Sequence, residues 1–309
     1  RPRRPSRRQR SARDQKDRRR GGWRQWRQLL ATLRSRRFDL VFDLQGLLRT
    51  AVMTRATAAP LRIGLETARE GSGLACHGLL EDTGRQVPAH RRYWRVAEFL
   101  GMGDLTPRAG LEISRSEHAW ADVMTRQLGE RVVAIHPGAR WETKRWPIEH
   151  FAAVGVHAIR EHGASLLLVG SPDERVAAAR LKELILRQAT DGRVENLAGQ
   201  TGLKKLAAVL SAVDVVVTND SGPMHLAAAV ETPVVGVFTC TTARRSGPPG
   251  DRHVLIETSV TCGGSYHKRC PHRGDRHLAC LQDVSAAEAC EGLDRLLGGV
   301  PAIVRPKVA

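Results

Sequence analysis

The sequence predicts an α/β protein: a doubly wound parallel sheet in the second half, behind a smaller α/β domain. Three observations carry that expectation. Apolar runs of about five residues alternate with longer stretches of helical period. The runs are continuously apolar rather than alternating, as strands covered on both faces must be. Several end in Gly, Pro, Asn, Asp or Ser, the composition of a turn from strand into helix.

The elements can be justified in order. Residues 1–20, RPRRPSRRQRSARDQKDRRR, hold ten Arg and one Lys against two Asp, or +9 of the chain's formal +17. Such a run buries no apolar surface, so a disordered basic tail is expected over 1–22. It is either a solvated tail, coding sequence from a misassigned start, or a nucleic-acid-binding arm. No aromatics interleave it and no zinc-finger or RNA-binding signature accompanies it, so nucleic acid is not the expected partner.

GWRQWRQLLATLRSRR (22–37) then reads as an amphipathic helix and FDLVFDLQG (38–46) as a strand ending in Gly. LLRTAVMTRATAA (47–59) is helical and is stopped by Pro60. A helix at 89–100 ends at Gly101, 102–112 is loop, and a helix over 116–129 opens at a Ser cap. The first domain is expected over 23–125 and the second over 126–309.

In that second domain strands are predicted at 132–136, 165–169, 194–197, 214–218 and 234–238, with helices at 147–162, 174–189, 202–211 and 222–230. Strand and helix in turn imply a parallel sheet with helices on both faces.

Composition limits the classes of function. A hydrophobic content of 41% supports a real core, and no run approaches the length of a bilayer span. The N-terminal residues lack the apolar core of a secretion signal. Six Cys in 309 residues do not make a disulfide scaffold, and a reducing cytoplasm is the default compartment.

Ligands of such sheets bind outside the carboxyl ends of the strands. The richest of these ends is VTNDSGPMHLAAAVETPVVGVF (217–238). Asp220 or Ser221 can cap the following helix, Gly222 allows close backbone approach, and first-turn N–H groups favour a phosphate. His225 falls in the first turn and can face the same ligand. Alone, this is as readily a plain cap and a packed His. Upstream, HPGARWETKRWP places Lys144 in the loop before a helix opened by Pro147, where an ammonium can meet a diphosphate or simply face solvent. VGSPDE puts Gly170, Ser171, Asp173 and Glu174 at a third strand end. Its carboxylates either favour the helix dipole or accept from a ribose.

Together, HPGARWETKRWP, VGSPDE, LAGQTGLKKLAAVLSAVDVVVTNDSGPMHLAAA and GVFTCTTARRSGPPG resemble glycosyltransferase family 9, the ADP-heptose:lipopolysaccharide heptosyltransferases. In the first half, RRFDLVFDLQGLLRTAVMTRATAAPLRIGLETARE and HRRYWRVAEFLG resemble that family's acceptor-side domain, so the likeness runs from about residue 23 to 297. The resemblance implies a GT-B-like architecture of two Rossmann-like domains, the N-terminal one incomplete. The C-terminal domain would hold the nucleotide sugar, with ADP-heptose the expected donor, and the N-terminal domain an anionic lipid-linked glycan acceptor.

By motif match Lys144, Asp220 and His225 would be catalytic, and Glu174, Ser221, Gly222 and Gly170 would bind the donor. Transfer would invert the anomeric carbon with no metal and no cofactor, Lys144 and a helix dipole stabilising the leaving diphosphate.

The sequence also departs from the family pattern. The first βαβ unit, with its Gly-Asp turn and proposed general base, is not matched, and Asp43 lies in a strand instead. The chain then reads as an N-terminal fragment or, alternatively, as a non-catalytic nucleotide-sugar or polyanion-binding remnant. Cys262, Cys270 and Cys280, interleaved with His267, His272 and His277, read as a structural loop; zinc is the alternative, although no C-x₂-C pair is present. Cys76, Cys240 and Cys290 read as isolated core residues. Arg49, Arg55, Arg62, Arg69, Arg91, Arg92 and Arg95 suit a phosphorylated acceptor or are ordinary surface residues. The helix 22–37 packs on its own domain or rests on anionic lipid, which would place the protein at the inner face of the inner membrane.

Overall fold

The structure, a computed structural model, describes residues 22–84, 86–103 and 110–298. The basic run predicted as a disordered tail lies outside the described residues, except for Gly22, which opens the first helix. Contacts divide the chain into two compact units, Arg1–Leu105 and Thr106–Ala309.

The first unit opens with helix α1 (22–35) and strand β1 (Leu40–Asp43). Helix α2 (Leu48–Thr57), strands β2 (Leu61–Leu65) and β3 (Gly78–Leu80) and helix α3 (Ala89–Phe99) follow. Its three strands form an all-parallel sheet in the order β1-β2-β3, Phe42 pairing with Ile63 and Ile63 with Gly78. Asp43 closes the turn after β1. Its Oδ1 accepts the backbone N–H of Gln45 (3.1 Å) and Gly46 (2.9 Å), and its Oδ2 accepts the Thr50 hydroxyl (2.9 Å). Gly46 has φ +61°, and a Cβ there would lie 2.9 Å from the Ala68 backbone, so only glycine fits.

The second unit begins with α4 (Arg115–Leu128), then β4 (Val132–His136), α5 (Ile148–His162), β5 (Ser165–Leu168) and α6 (Arg175–Leu186). It continues with β6 (Val194–Asn196), α7 (Leu203–Ser211), β7 (Val215–Asn219), α8 (Gly222–Ala229) and β8 (Val234–Phe238). It closes with α9 (Ala243–Ser246), β9 (Val254–Glu257), α10 (Ala279–Asp283) and α11 (Ala286–Leu297).

The six strands are all parallel, in the order β6-β5-β4-β7-β8-β9. Counted within the unit this is 3-2-1-4-5-6, the dinucleotide-binding order, and its switch point lies between β4 and β7. Alternate residues feed opposite faces. Val133, Ile135, Leu166, Leu168, Val215 and Val217 join the core under α5, α6 and α11. Val132, Ala134, Leu167, Val169 and Val216 join the core under α4, α7 and α8. Both faces are covered, which is why the strands are apolar throughout.

Two sequence-based boundaries shift. The division at 125/126 moves to 105/106, because α4 packs against α7 of the second unit. Its cap is Ser114, earlier than expected: the Ser114 hydroxyl accepts from Glu117 N (3.2 Å) and Glu117 Oε2 accepts from Ser114 N (2.9 Å), a reciprocal pair.

Strands β2, β3 and β9 and helices α9, α10 and α11 were not anticipated. Arg62 and Gly64 interrupt the apolar pattern of β2. Gly292 interrupts α11, where a Cβ would meet Val254 Cγ1 at 2.9 Å. Among the described residues no helix is long and apolar enough to cross a membrane.

Candidate functional site

The β4–β7 register pairs His136, the last residue of β4, with Thr218, the penultimate residue of β7. Everything beyond them is placed by that register. His136 is buried, and its Nδ1 lies 3.2 Å from both the Thr218 and Ser221 hydroxyls. Its Nε2 lies 3.3 Å from Glu174 Oε2, which also accepts Ser171 N (2.7 Å) and the Ser171 hydroxyl (3.0 Å). The imidazole therefore ties the end of β7 to the turn after β5. Its hydrogen bond, outweighing the opposing effect of burial, holds the Glu174 carboxyl down at about 2. All three bonds fall on Oε2, and Oε1 is turned toward Gly138, where a Cβ would lie 1.7 Å from it. Gly170 is less tightly set: a Cβ there would lie 3.0 Å from Glu174 Oε2.

Asn219, fully buried, staples the loop after β4. Its side-chain amide donates to Pro137 O (2.8 Å) and Gly138 O (3.2 Å), while its Oδ1 accepts from Trp146 N (3.2 Å). Trp146 is buried too, its indole N–H reaching Val284 O at 2.8 Å. This anchoring delivers Lys144, at the end of a 3₁₀ turn (Glu142–Lys144), to β7. Lys144 Nζ lies 2.7 Å from Asp220 Oδ2 and 4.7 Å from the centre of the Trp141 ring. Asp220 is buried and the Lys144 side chain is only 16% exposed, so the pair is shielded from water.

Two expectations about capping are corrected. Ser221 is the N-cap of α8 by position, but neither it nor Asp220 makes a side-chain cap. The Ser221 hydroxyl is drawn to Thr218 and His136, and the Asp220 carboxylate to Lys144. The first turn of α8 thus presents N–H groups with no side chain on them, and a Cβ at Gly222 would meet nothing within 4 Å. His225 follows on the same helix. Burial of its ring by surrounding protein pushes its pKa below 6.5, with Asp220 opposing and Lys144 assisting. It is mostly neutral at pH 7 and can donate or accept a hydrogen bond.

Beside this network is a cavity of about 720 Å³, lined by Pro137, Gly138, Glu174, Gly202, Leu206 and Pro223 among others. The structure therefore brings Lys144, Asp220, Ser221, Gly222 and His225 together, and joins Glu174 and Gly170 to them through His136. His136, Thr218 and Asn219 were missed as site residues. His136 was visible as the polar end of an apolar strand, but its partners Glu174, Thr218 and Ser221 are 38, 82 and 85 positions away in the chain.

The model of glycosyltransferase family 9 (heptosyltransferase) matches residues 26–274. The chain belongs to that family. Lipopolysaccharide core heptosyltransferase OpsX of Haemophilus influenzae is 28% identical over 231 residues, 74% of this chain. The chain spans only 64% of that protein's length and 52% of Lipooligosaccharide heptosyltransferase 2 of Campylobacter jejuni.

Among solved structures, the glycosyl transferase family 9 protein of Veillonella parvula superposes with a TM-score of 0.69 at 23% identity, covering 88% of this chain and 78% of that one. E. coli ADP-heptose lps heptosyltransferase II gives 0.68 at 23% identity, covering 89% and 81%. These likenesses support the GT-B-like α/β class, with an all-parallel sheet in each unit.

Two other expectations are revised. Arg62 is a structural residue, since its guanidinium donates to Ala75 O (2.8 Å) and Ala59 O (2.6 Å) and meets His77 (3.0 Å) from a buried position. Cys240 is not isolated. Burial first, then the neighbouring thiols of Cys262, Cys240 and Cys270, push Cys280 up to about 11. Such a thiol is inert at neutral pH.

Proposed function

We propose that this chain transfers a heptose, with inversion, from an ADP-linked donor to the core of a lipopolysaccharide. One observation carries the reading: the convergence of Lys144, Asp220 and the uncapped start of α8 beside an apolar-floored cavity edged by Glu174. In this reading a nucleoside occupies the cavity and Glu174 Oε1 accepts from ribose hydroxyls. The diphosphate then lies against α8, where N–H groups and the helix dipole favour negative charge. Lys144 has three protons, so it can keep Asp220 and still donate to a phosphate oxygen. Asp220 fixes the ammonium before the donor arrives, so little reorganisation is needed as charge builds on the leaving diphosphate. Neutral His225 hydrogen-bonds the sugar or its bridging oxygen. These groups perform the task without a metal or other cofactor.

The family and the relatives named as heptosyltransferases favour a heptose, and the formal charge of +17 favours an anionic acceptor. Work on such an acceptor would bring the protein to the inner face of the inner membrane.

Calorimetry with ADP and ADP-heptose tests the donor site. Lys144→Met is expected to weaken ADP at least tenfold, while adenosine, which lacks the diphosphate, binds equally to both proteins. Equal ADP affinity in a folded Lys144→Met chain would refute the placement of the diphosphate.

A further inference from the structure

In a strand–helix–strand unit the helix returns antiparallel to its strands, so α5 ends at the opposite edge of the sheet from the donor cavity. Arg131, just before β4, confirms this by donating to His162 O at 3.2 Å. At that edge His157 and His162 on α5 face Asp294 on α11. Each Nε2 lies 2.6 Å from the same carboxylate oxygen, Asp294 Oδ1. The three candidate ligand atoms all lie within 4.8 Å of one another. The imidazoles stand edge to face at 5.7 Å, and the side chains of His157, His162 and Asp294 are 25%, 16% and 46% exposed. The point on which they converge is reachable from water yet framed by two packed helices.

We propose that His157, His162 and Asp294 form a divalent transition-metal site that takes Zn²⁺, with solvent in the remaining position. Two imidazole nitrogens and one carboxylate oxygen are a donor set that zinc accepts, at about 2.0–2.2 Å each. A tetrahedral ion with such bonds needs its ligand atoms about 3.3 Å apart. The Nε2–Oδ1 spacings therefore have only to open by well under 1 Å, and side-chain rotation alone supplies that. Both rings already turn Nε2 toward the Asp294 carboxylate. On binding, the ion takes the place of the two Nε2 protons that face Asp294: a neutral ring shifts its single hydrogen from Nε2 to Nδ1 through solvent, and a charged ring releases its Nε2 proton to solvent and keeps the one on Nδ1. The bound ion would cross-link the last two turns of α5 to α11, far from the reacting groups, so its role is structural.

Zn²⁺ titration of the EDTA-treated 309-residue chain by calorimetry tests the proposal, with Co²⁺ as a spectroscopic probe. One equivalent should bind through these residues. His157→Gln/His162→Gln should weaken it at least tenfold, and so should Asp294→Asn, which keeps a hydrogen-bond acceptor and so preserves the fold. Ser at Cys262, Cys270 and Cys280 together should leave it unchanged. Zinc at a hundred times its dissociation constant should raise the melting midpoint by roughly 5 °C or more. The proposal is overturned if the wild-type chain binds no more tightly than the folded Asp294→Asn chain. It is likewise overturned if the cysteine substitutions abolish the binding.

Discussion

Replacing Glu174 by Gln removes one negative charge from the centre of the β4–β5–β7 network and leaves its size and one acceptor in place. The consequence can be worked from the geometry. The folded carboxyl titrates at about 2, against an ordinary value of 4.5, because His136 and the Ser171 groups bond its charged form more strongly than burial opposes it. A depressed folded pKa contributes stability that is fully present above 4.5 and is lost as pH falls through about 2. The gap is worth about 3 kcal/mol at pH 7 and about 1 kcal/mol at pH 3.

Urea unfolding of wild type and Glu174→Gln should therefore differ by up to about 3 kcal/mol at pH 7, a melting difference of roughly 6–12 °C. The difference should shrink steadily toward pH 3. Glu183→Gln, at an exposed position on α6, is the control and should show a flat, near-zero profile. A Glu174→Gln penalty that stays constant from pH 7 to pH 3 would refute the charge-based account, because only loss of packing is indifferent to proton uptake.

Gly138→Ala should act through the same carboxylate. Its Cβ would arrive 1.7 Å from Glu174 Oε1, so the carboxylate must swing out of the His136 contact. Loss of up to about 3 kcal/mol at pH 7 is expected in urea unfolding, not additive with Glu174→Gln in the double variant. For His225, NMR titration should give a midpoint below 6.5, and Asp220→Asn should lower it further by removing the charge that favours the imidazolium. A midpoint that rises in Asp220→Asn would contradict the proximity of these two groups.

Much of the second unit was legible because its physics is local. Continuous apolar runs such as VVAIH and VVGVF announce buried parallel strands, and the turns after them announce loops at one edge of the sheet. The prediction failed where local signals conflict with tertiary need. β2 carries Arg62 because its guanidinium satisfies backbone carbonyls inside the first unit, which no periodicity reveals. α11 carries a helix-weakening glycine because Val254 leaves no room for a side chain.

The candidate site divides in the same way. Lys144, Glu174, Asp220 and His225 stand out as polar residues at strand ends and in turns, so their candidacy follows from chain order alone. Their partners do not. That Asp220 bonds Lys144 instead of capping α8, or that His136 joins Glu174 to Ser221, depends on β4 lying between β5 and β7. That adjacency comes from sheet order.

The sequence by itself determined most of the second unit's strands and helices, from β4 to β8, and which polar side chains stand at those strands' ends. Those outcomes rest on periodicity, turn chemistry and the cost of burying unpaired groups, all of which act within a few residues. Only the tertiary structure decided which polar groups pair with one another, where the two units divide, and that two histidines meet Asp294 across α5 and α11. Pairing energies fall off within a few ångströms, and distances that short between residues 38 to 137 positions apart are set by strand order and helix packing.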